Sequence, residues 1–591
     1  MSELVDERTD PYLEPEPTRP AIVRWSARIA LMWGLVYVSY RAVFTLSDAS
    51  PIAAGALLAA EILAVVVFAL RVRSASSSPV IVDDVPDAPV PSAVAVIDAA
   101  GASIDELRTT LVSCRRVRGL ERVVVADSEG SRWLRTIAER FEATVVEQPA
   151  LRAVVDTNAM WVLHLRAGDL PMPDALEMVA TVASAPDVGV VQLGVEEADP
   201  SSYEHDLRGR WSTAPFDHQV VRPSLAATGS IPWYGDVPAL VRPVVFQSAD
   251  NLTSTVDLGL HSIRLGYRVT LVGRTLARVR GPQSLGESLE HHARRTARLR
   301  SVALGRLAGV PKAARSAHRA ALIGPLCAVQ RLLLIVSAVL ALGFGELPLT
   351  GPAINLFALA IPAYVLRWNA HLLLGRGRLG PFSIMRSDLR TLGVDLTFGL
   401  GNPAAHQRQR FLLLAVLVAA LDVAVLITAF AVWRDWGDRL PAEAAAVALT
   451  LTAGFLAVAM EVLLDAMMRR QRRHHHRVRL GLVTCQIEGR DGQLRDLSTG
   501  GAGVVVGASR DQLPEPGTVT SVSFRIPDAG GAWRDVSALV HIAHVAEEVP
   551  GECRVGLTFD DPTDSPLDPV VEFLTIDRRL VALGRRAHET V

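Results

Sequence analysis

The sequence predicts a multi-domain membrane protein: an α-helical transmembrane bundle, a soluble α/β domain set between its spans, and a C-terminal antiparallel β-barrel. Three observations predict it. Half of the 591 residues are apolar and the mean hydropathy is +0.27, high for a chain without membrane spans. Six apolar runs are long enough to cross roughly 30 Å of hydrocarbon at about 1.5 Å per residue. The soluble stretch after the second run alternates strand and helix patterns, whereas the last 120 or so residues are strand-rich until a final helix.

Residues 1–24 open acidic and proline-rich ("DERTDPYLEPEPTRP"), lack a signal-peptide pattern and read as a disordered cytosolic tail. Two apolar runs follow, near 25–47 and 51–72, and then a Ser/Pro/Asp linker over 73–92. The soluble segment spans 93–315. Four further runs lie near 321–346, 350–373, 411–433 and 441–466, making 321–466 a second membrane block. The loop at 375–410 is charged and holds weakly amphipathic pieces such as "SIMRSDLRTLG", the pattern of a helix lying in the interface. Residues 467–591 form the tail.

Arginines set the orientation. They follow the second run (Arg71, Arg73), precede the third (Arg315, Arg319), fill the loop between the fourth and fifth (Arg376, Arg386, Arg390, Arg408) and follow the sixth (Arg472, Arg473, Arg477). The remaining loops are short and poor in basic residues. The positive-inside rule then puts both termini, the soluble segment and the tail in the cytosol. Net charge is −2, so bulk charge gives no reason to expect a nucleic-acid partner. Lys312 is the one lysine, a bias that belongs to codon usage rather than to function. The four cysteines (Cys114, Cys327, Cys485, Cys553) show no zinc or disulfide spacing. His474–His476 has no cysteine or carboxylate companion at ligand spacing and reads as spacer.

Within the soluble segment, 93–98, 122–126, 143–147, 161–165 and 188–193 are short apolar strands, with helices in "SIDELRTTLVSCRRV" and "SRWLRTIAERF" between the first of them. That alternation builds a parallel sheet with ligands at the strand carboxyl ends, where Asp98, Asp127 and Asp169 fall. Each aspartate has a plain reading as well. Asp98 and Asp127 suit strand-end turns, Asp169 precedes Pro171 in a loop, and Asp257 suits the N-cap of the helix in "STVDLGLHSIRLGYR".

The order of spans, α/β segment, spans and small tail domain resembles the catalytic subunit of bacterial cellulose synthases, whose soluble part is a family 2 glycosyltransferase (GT-A) domain. The resemblance implies a nucleotide-sugar site, with Mg²⁺ or Mn²⁺ if the domain is active, and a nascent polysaccharide. Its motifs are worn. The nucleobase-contacting Asp-Asp-Gly is reduced to Asp127 followed by Ser128. The Lys-Ala-Gly-x-x-Asn-Asn-Ala segment is similar to "RAVVDTNA", with Arg152 for the lysine. Arg166 and Gly168 stand at the two aspartates of Asp-x-Asp, with Asp169 one residue late. Thr255 and Asp257 keep two residues of Thr-Glu-Asp, with Val256 for the glutamate, and Asp257 is the implied base. Gln-x-x-Arg-Trp is matched only by Arg294, and the gating loop only by Phe382 and Ile384. Loss of the two carboxylates removes most of a metal cage, for which Arg166 could substitute by pairing with phosphate. Three readings stay open: a divergent active transferase, a scaffold with a regulatory role, and an unrelated α/β domain.

In the tail, "VRLGLVTCQIE", "GAGVVVG", "GTVTSVSFRI", "VSALVHIAHVA" and "CRVGLTFD" are strands parted by turn residues, and a helix follows at about 566–585. Arg473 and Arg477, with Arg472 before them, and Asp496, Ser498 and Gly501 resemble the Arg-x-x-x-Arg and Asp-x-Ser-x-x-Gly signatures of PilZ domains. The resemblance implies cyclic di-GMP as ligand. Arginine forks suit its phosphates and guanine O6 and N7, Asp496 suits guanine N–H groups, and Gly501 permits close backbone approach. The plain reading of the arginines, a stop after the sixth span, leaves Asp496, Ser498 and Gly501 unexplained. Membrane lipid and an unidentified protein partner complete the expected contacts.

Overall fold

The computed structural model describes residues 20–47, 51–75, 88–197, 216–249 (except 228), 254–299 (except 283–284), 307–343 (except 321), 349–350, 353–396 (except 376 and 378), isolated helical positions between 419 and 460, and 478–574 (except 529–531, 550 and 561–564). Apart from those isolated positions, the expected spans at 411–433 and 441–466 lie outside the described residues, as do the arginines Arg472, Arg473 and Arg477.

Helices α1 (Pro20–Phe44) and α2 (Pro51–Ala75) are continuous apolar helices and pack on each other, with Gly34 of α1 facing Val65 of α2. Arg41 is fully buried between them and donates to Glu61 at 3.0 Å, a pairing that compensates two charges among apolar neighbours. Among the described residues three helices are long and apolar enough to cross a membrane, or four if the bent pair formed by Lys312–Ala320 and Ile323–Ser337 is one span.

The α/β domain holds an eight-stranded sheet in the order β3-β2-β1-β4-β7-β6-β8-β5. Strands β1 (Ala93–Asp98), β2 (Leu120–Ala126), β3 (Thr144–Val146) and β4 (Trp161–Arg166) are parallel neighbours. Helices α3 (Ile104–Cys114), α4 (Arg132–Arg140) and α5 (Ala150–Asp156) connect them. After β5 (Leu170–Pro171) and α6 (Ala175–Ala183), β6 (Val188–Glu197) runs parallel to β8 (Arg268–Val279). Between β4 and β6 sits β7 (Ala239–Val241), antiparallel to both. The sheet is buried on both faces: Val94 and Val96 enter one core, and Ala93, Ala95 and Ile97 the other. This is why its strands read as unbroken apolar runs. Helices α7 (Thr255–Arg264) and α8 (Leu285–Arg298) flank β8. The chain continues through α9 (Lys312–Ala320), α10 (Ile323–Gly343), α11 (Ala353–Leu374) and α12 (Pro381–Leu396). Helix α12 falls within the loop expected to hold an interfacial helix, and its Asp395 meets His292 of α8 at 2.9 Å.

The tail is a closed six-stranded barrel in the order β10-β11-β14-β13-β12-β9, with antiparallel pairing. Its strands are β9 (Val478–Ile487), β10 (Arg490–Ser498), β11 (Gly501–Val506), β12 (Val519–Pro527), β13 (Trp533–Val549) and β14 (Glu552–Phe559). Closure leaves no free sheet edge. A short helix, α13 (Asp568–Glu572), begins the expected terminal helix. It joins the barrel to the α/β domain. Asp568 accepts from Arg108 of α3 at 2.8 Å and from Arg140 of α4 at 3.3 Å, Glu572 accepts from Arg116 at 3.4 Å, and Val571 enters the α/β core. Arg108 is only 2 % exposed, so Asp568 compensates an otherwise buried cation.

Candidate functional site

Two sites emerge. The first is a cavity of about 700 Å³ at the carboxyl ends of the strands. Asp98 and Arg166 end β1 and β4 as register partners, and both line it. Gly168 lines it with φ +97°, a left-handed conformation in which a side chain would be strained. Its N–H points at α3, donating to the Thr110 hydroxyl at 2.8 Å and lying 3.1 Å from the Glu106 carbonyl. Asp169, 6 % exposed, accepts from the Arg166 N–H at 2.7 Å. Burial pushes its carboxyl up to about 7 against that hydrogen bond. Glu106 lines the cavity as well, and it ties Arg280 at 2.7 Å.

The structure also places residues that sequence reasoning did not single out. Arg222 is fully buried, donates to Asp236 at 2.8 and 2.7 Å and to Asp217 at 2.7 Å, and lies over the Tyr234 ring at 3.9 Å. Burial alone would raise the Asp236 carboxyl, but Arg222 holds it well below the usual carboxylate range. Burial and then Arg222 push His218 down to about 3, so its imidazole is neutral at pH 7. Arg295 and Arg298 reach the cavity from α8. Arg295 pairs with Asp217 at 2.5 Å, and Arg298 donates to the Tyr234 carbonyl at 3.1 Å. No motif marks this group. The only sequence hint is that charged residues recur around "FDHQVVR" and "WYGDVP".

The sequence-derived residues divide. Asp98, Asp169 and Arg294 line the cavity, Arg294 paired with Glu290 one helical turn earlier. Asp127 does not line it. It accepts from the Glu129 N–H at 2.9 Å and the Ser131 N–H at 2.5 Å, which makes it the former of the β2–α4 turn. Asp257 is also absent from the lining and sits in the first turn of α7. The N-cap there is Ser254 rather than Asp257, its hydroxyl accepting from the Asp257 N–H at 3.4 Å. Val256, at the glutamate position, is buried core.

A divalent cation does not fit these residues. The two positions expected to supply its carboxylates hold Arg166 and Gly168, and Asp169 is turned onto the backbone with a raised pKa. Among the described residues no three His, Cys, Asp or Glu side chains are grouped to hold a metal.

The second site is on the barrel. Asp496 of β10 is 6 % exposed and accepts from Arg554 of β14 at 3.2 Å, a contact the sequence did not announce. The Ser498 hydroxyl donates to the Gly501 carbonyl at 3.0 Å and closes the turn. A Cβ on Gly501 would lie 2.1 Å from the Leu557 carbonyl oxygen, so the strands leave room for glycine alone. The first described residues of the tail, Val478 and Arg479, pair with Leu497 and Asp496. The chain therefore enters the barrel beside this turn, immediately after Arg477.

Residues 471–575 match the PilZ domain family, and the tail is a PilZ domain. No curated protein matches the chain. Solved structures are similar to part of the chain. A mannosyltransferase from Pyrobaculum calidifontis in complex with GDP-Man and Mn²⁺ is 15 % identical, with 54 % of this chain and 97 % of that chain covered and a TM-score of 0.39. Glucosyl-3-phosphoglycerate synthase from Mycobacterium tuberculosis, with Mn²⁺, UDP and glucosyl-3-phosphoglycerate, is 15 % identical, with 38 % and 81 % covered and a TM-score of 0.27.

Proposed function

We propose that this chain is a cyclic di-GMP receptor of a bacterial inner membrane. In this reading both soluble domains face the cytosol, and the chain regulates or assists exopolysaccharide synthesis through a divergent family 2 glycosyltransferase domain. The observation that carries the proposal is the preformed Asp496–Ser498–Gly501 turn beside the point where the arginine-bearing hinge enters the barrel. Asp496 is oriented by Arg554 and is the acceptor for guanine N–H groups. Arg472, Arg473 and Arg477 supply forked donors for the phosphates and for guanine O6 and N7.

The transferase-like domain keeps a cavity and, among its described residues, holds no metal cage, which supports weak or absent sugar transfer. A second reading, a processive transferase polymerising a nucleotide-sugar under cyclic di-GMP control, draws on the retained cavity of about 700 Å³, ample for a nucleotide-sugar.

Calorimetry on the full-length chain in detergent tests the receptor. Cyclic di-GMP should bind, and Arg473→Ala or Arg477→Ala should each weaken it roughly ten- to a hundredfold, the loss of one charge-assisted contact of about 1.5–3 kcal/mol. Unchanged binding in both variants would place the ligand elsewhere.

A further inference from the structure

A second polar side chain flanks Asp496, and no motif of the tail marks it. In the strand order β10-β11-β14-β13, Asp496 pairs with Gly503, Gly503 with Gly556, and Gly556 with His544. The four form one row across neighbouring strands. The row lies on the outer face of the barrel, since Val504 and Val555, the residues next to its glycines, enter the core. Strand alternation alone would not put both polar residues there. Leu494 and Ile542, two positions before Asp496 and His544, are core residues, so an unbroken period of two would turn Asp496 and His544 inward as well. Instead β10 shifts register between Leu494 and Asp496, and β13 between Ile542 and His544. Each bulge inserts one residue and re-aims the next side chain outward, a device common beside active sites. Between the two bulges the floor is glycine. A Cβ on Gly503 would lie 2.7 Å from both Asp496 carboxylate oxygens, and one on Gly556 would overlap Cε1 and Nδ1 of the His544 ring. Each side chain therefore leans over the glycine beside it and fills the space a Cβ would take. Facing Cβ positions on paired strands are about 4.5–5.5 Å apart, so the carboxylate and the imidazole are neighbours above two bare backbones. His544 is exposed, which leaves its ring open to a ligand. His541, the other histidine of β13, is instead tied to Asp560 at 2.5 Å.

We propose that His544 is a further binding residue that reads the base: its ring N–H donates to guanine O6 while Asp496 accepts from the N1–H and N2 amino group of the same guanine. Guanine carries the O6 acceptor directly beside those two donors, so its recognition asks for a donor beside a carboxylate. The side chains over Gly556 and Gly503 are that pair. Adenine has an N–H donor where guanine has O6, and an acceptor at N1, so the same pair rejects it. In this arrangement the hinge arginines take O6 from its N7 side and His544 takes it from its N1 side. The inference rests on the receptor reading of the tail and names a determinant of that site's specificity.

The test uses full-length protein in detergent, with thermal unfolding to verify that each variant is folded. Calorimetry measures cyclic di-GMP and its 6-thioguanine analogue, which keeps N1–H and the N2 amino group but replaces O6 by sulfur, a weaker acceptor. His544→Ala should weaken cyclic di-GMP roughly three- to tenfold, the loss of one hydrogen bond, and His544→Gln, which keeps an N–H donor, should recover part of it. The affinity lost on going from oxygen to sulfur should be smaller in His544→Ala than in the parent, because the two changes remove the same contact. A residue that only supported the strand would leave that ratio unmoved. Unchanged cyclic di-GMP affinity in folded His544→Ala, with Arg473→Ala and Arg477→Ala still weakening it, overturns the proposal and leaves the receptor reading standing. So does an oxygen-to-sulfur loss equal in the parent and in His544→Ala. Absence of cyclic di-GMP binding by the parent protein refutes the receptor reading itself, and this inference with it.

Discussion

Replacing Gly503 by alanine tests the tail site without altering any side chain assigned to the ligand. Gly503 of β11 is the register partner of Asp496. A Cβ there would lie 2.7 Å from both carboxylate oxygens of Asp496, inside van der Waals contact. The β11 backbone is held between β10 and β14 and cannot retreat, so the Asp496 side chain must turn away. Turning breaks the 3.2 Å contact with Arg554 and removes the proposed acceptor for the guanine edge. A charge-assisted contact of this kind is worth about 1.5–3 kcal/mol, so cyclic di-GMP affinity should fall roughly ten- to a hundredfold. Gly507→Ala is the control, because a Cβ there meets nothing within 4 Å. Calorimetry on full-length protein, with thermal unfolding to verify folding, reads both variants. A folded Gly503→Ala protein that binds as the parent does would show that Asp496 is not the guanine acceptor.

Asp568→Ala leaves Arg108 and Arg140 of the α/β domain without their shared carboxylate, and should destabilise the contact with the tail by about 1–3 kcal/mol, read as earlier proteolytic release of the tail. Asp169 has a folded pKa near 7, above its unfolded value of about 4, so the folded state binds the extra proton. Its contribution is therefore most favourable at low pH and is lost as pH rises from about 4 to 7; Asp169→Asn should remove that decline from the stability profile measured by denaturant titration. Turnover of UDP- and GDP-sugars should be absent or very slow, and robust metal-dependent nucleotide release abolished by Asp257→Asn would refute the worn-chemistry reading.

The strands at the centre of the sheet were readable because burial on both faces writes continuous apolar runs, as in "AVAVID" and "WVLHLR". Strand β7 was not: its three residues, directly after Pro238, carry no pattern, and only their neighbours β4 and β6 make them a strand. The PilZ turn was legible because its residues are local. Arg554, 58 positions from Asp496, joins them only through the barrel register. Asp98 and Asp169 were placed at the cavity by strand order alone, but the same reasoning could not separate them from Asp127, whose carboxylate closes a turn. Arg108 was not singled out in the sequence. It is buried because Asp568, 460 positions later, covers it.

That helix, α3, carries two loads. One face holds the cavity: Glu106 ties Arg280, Thr110 receives the Gly168 N–H, and Ser113 donates to the Pro171 carbonyl at 2.8 Å. The other face holds the tail through Arg108, with Leu107 and Leu111 in the core that Val571 joins. Sites that share a rigid element obey reciprocity: whatever factor one occupant imposes on the other's affinity is returned unchanged. To the extent that cyclic di-GMP loads α3, the threshold at which the chain answers its second messenger is set by how full the cavity is. On the proposed reading, the receptor would report the supply of two small molecules rather than one.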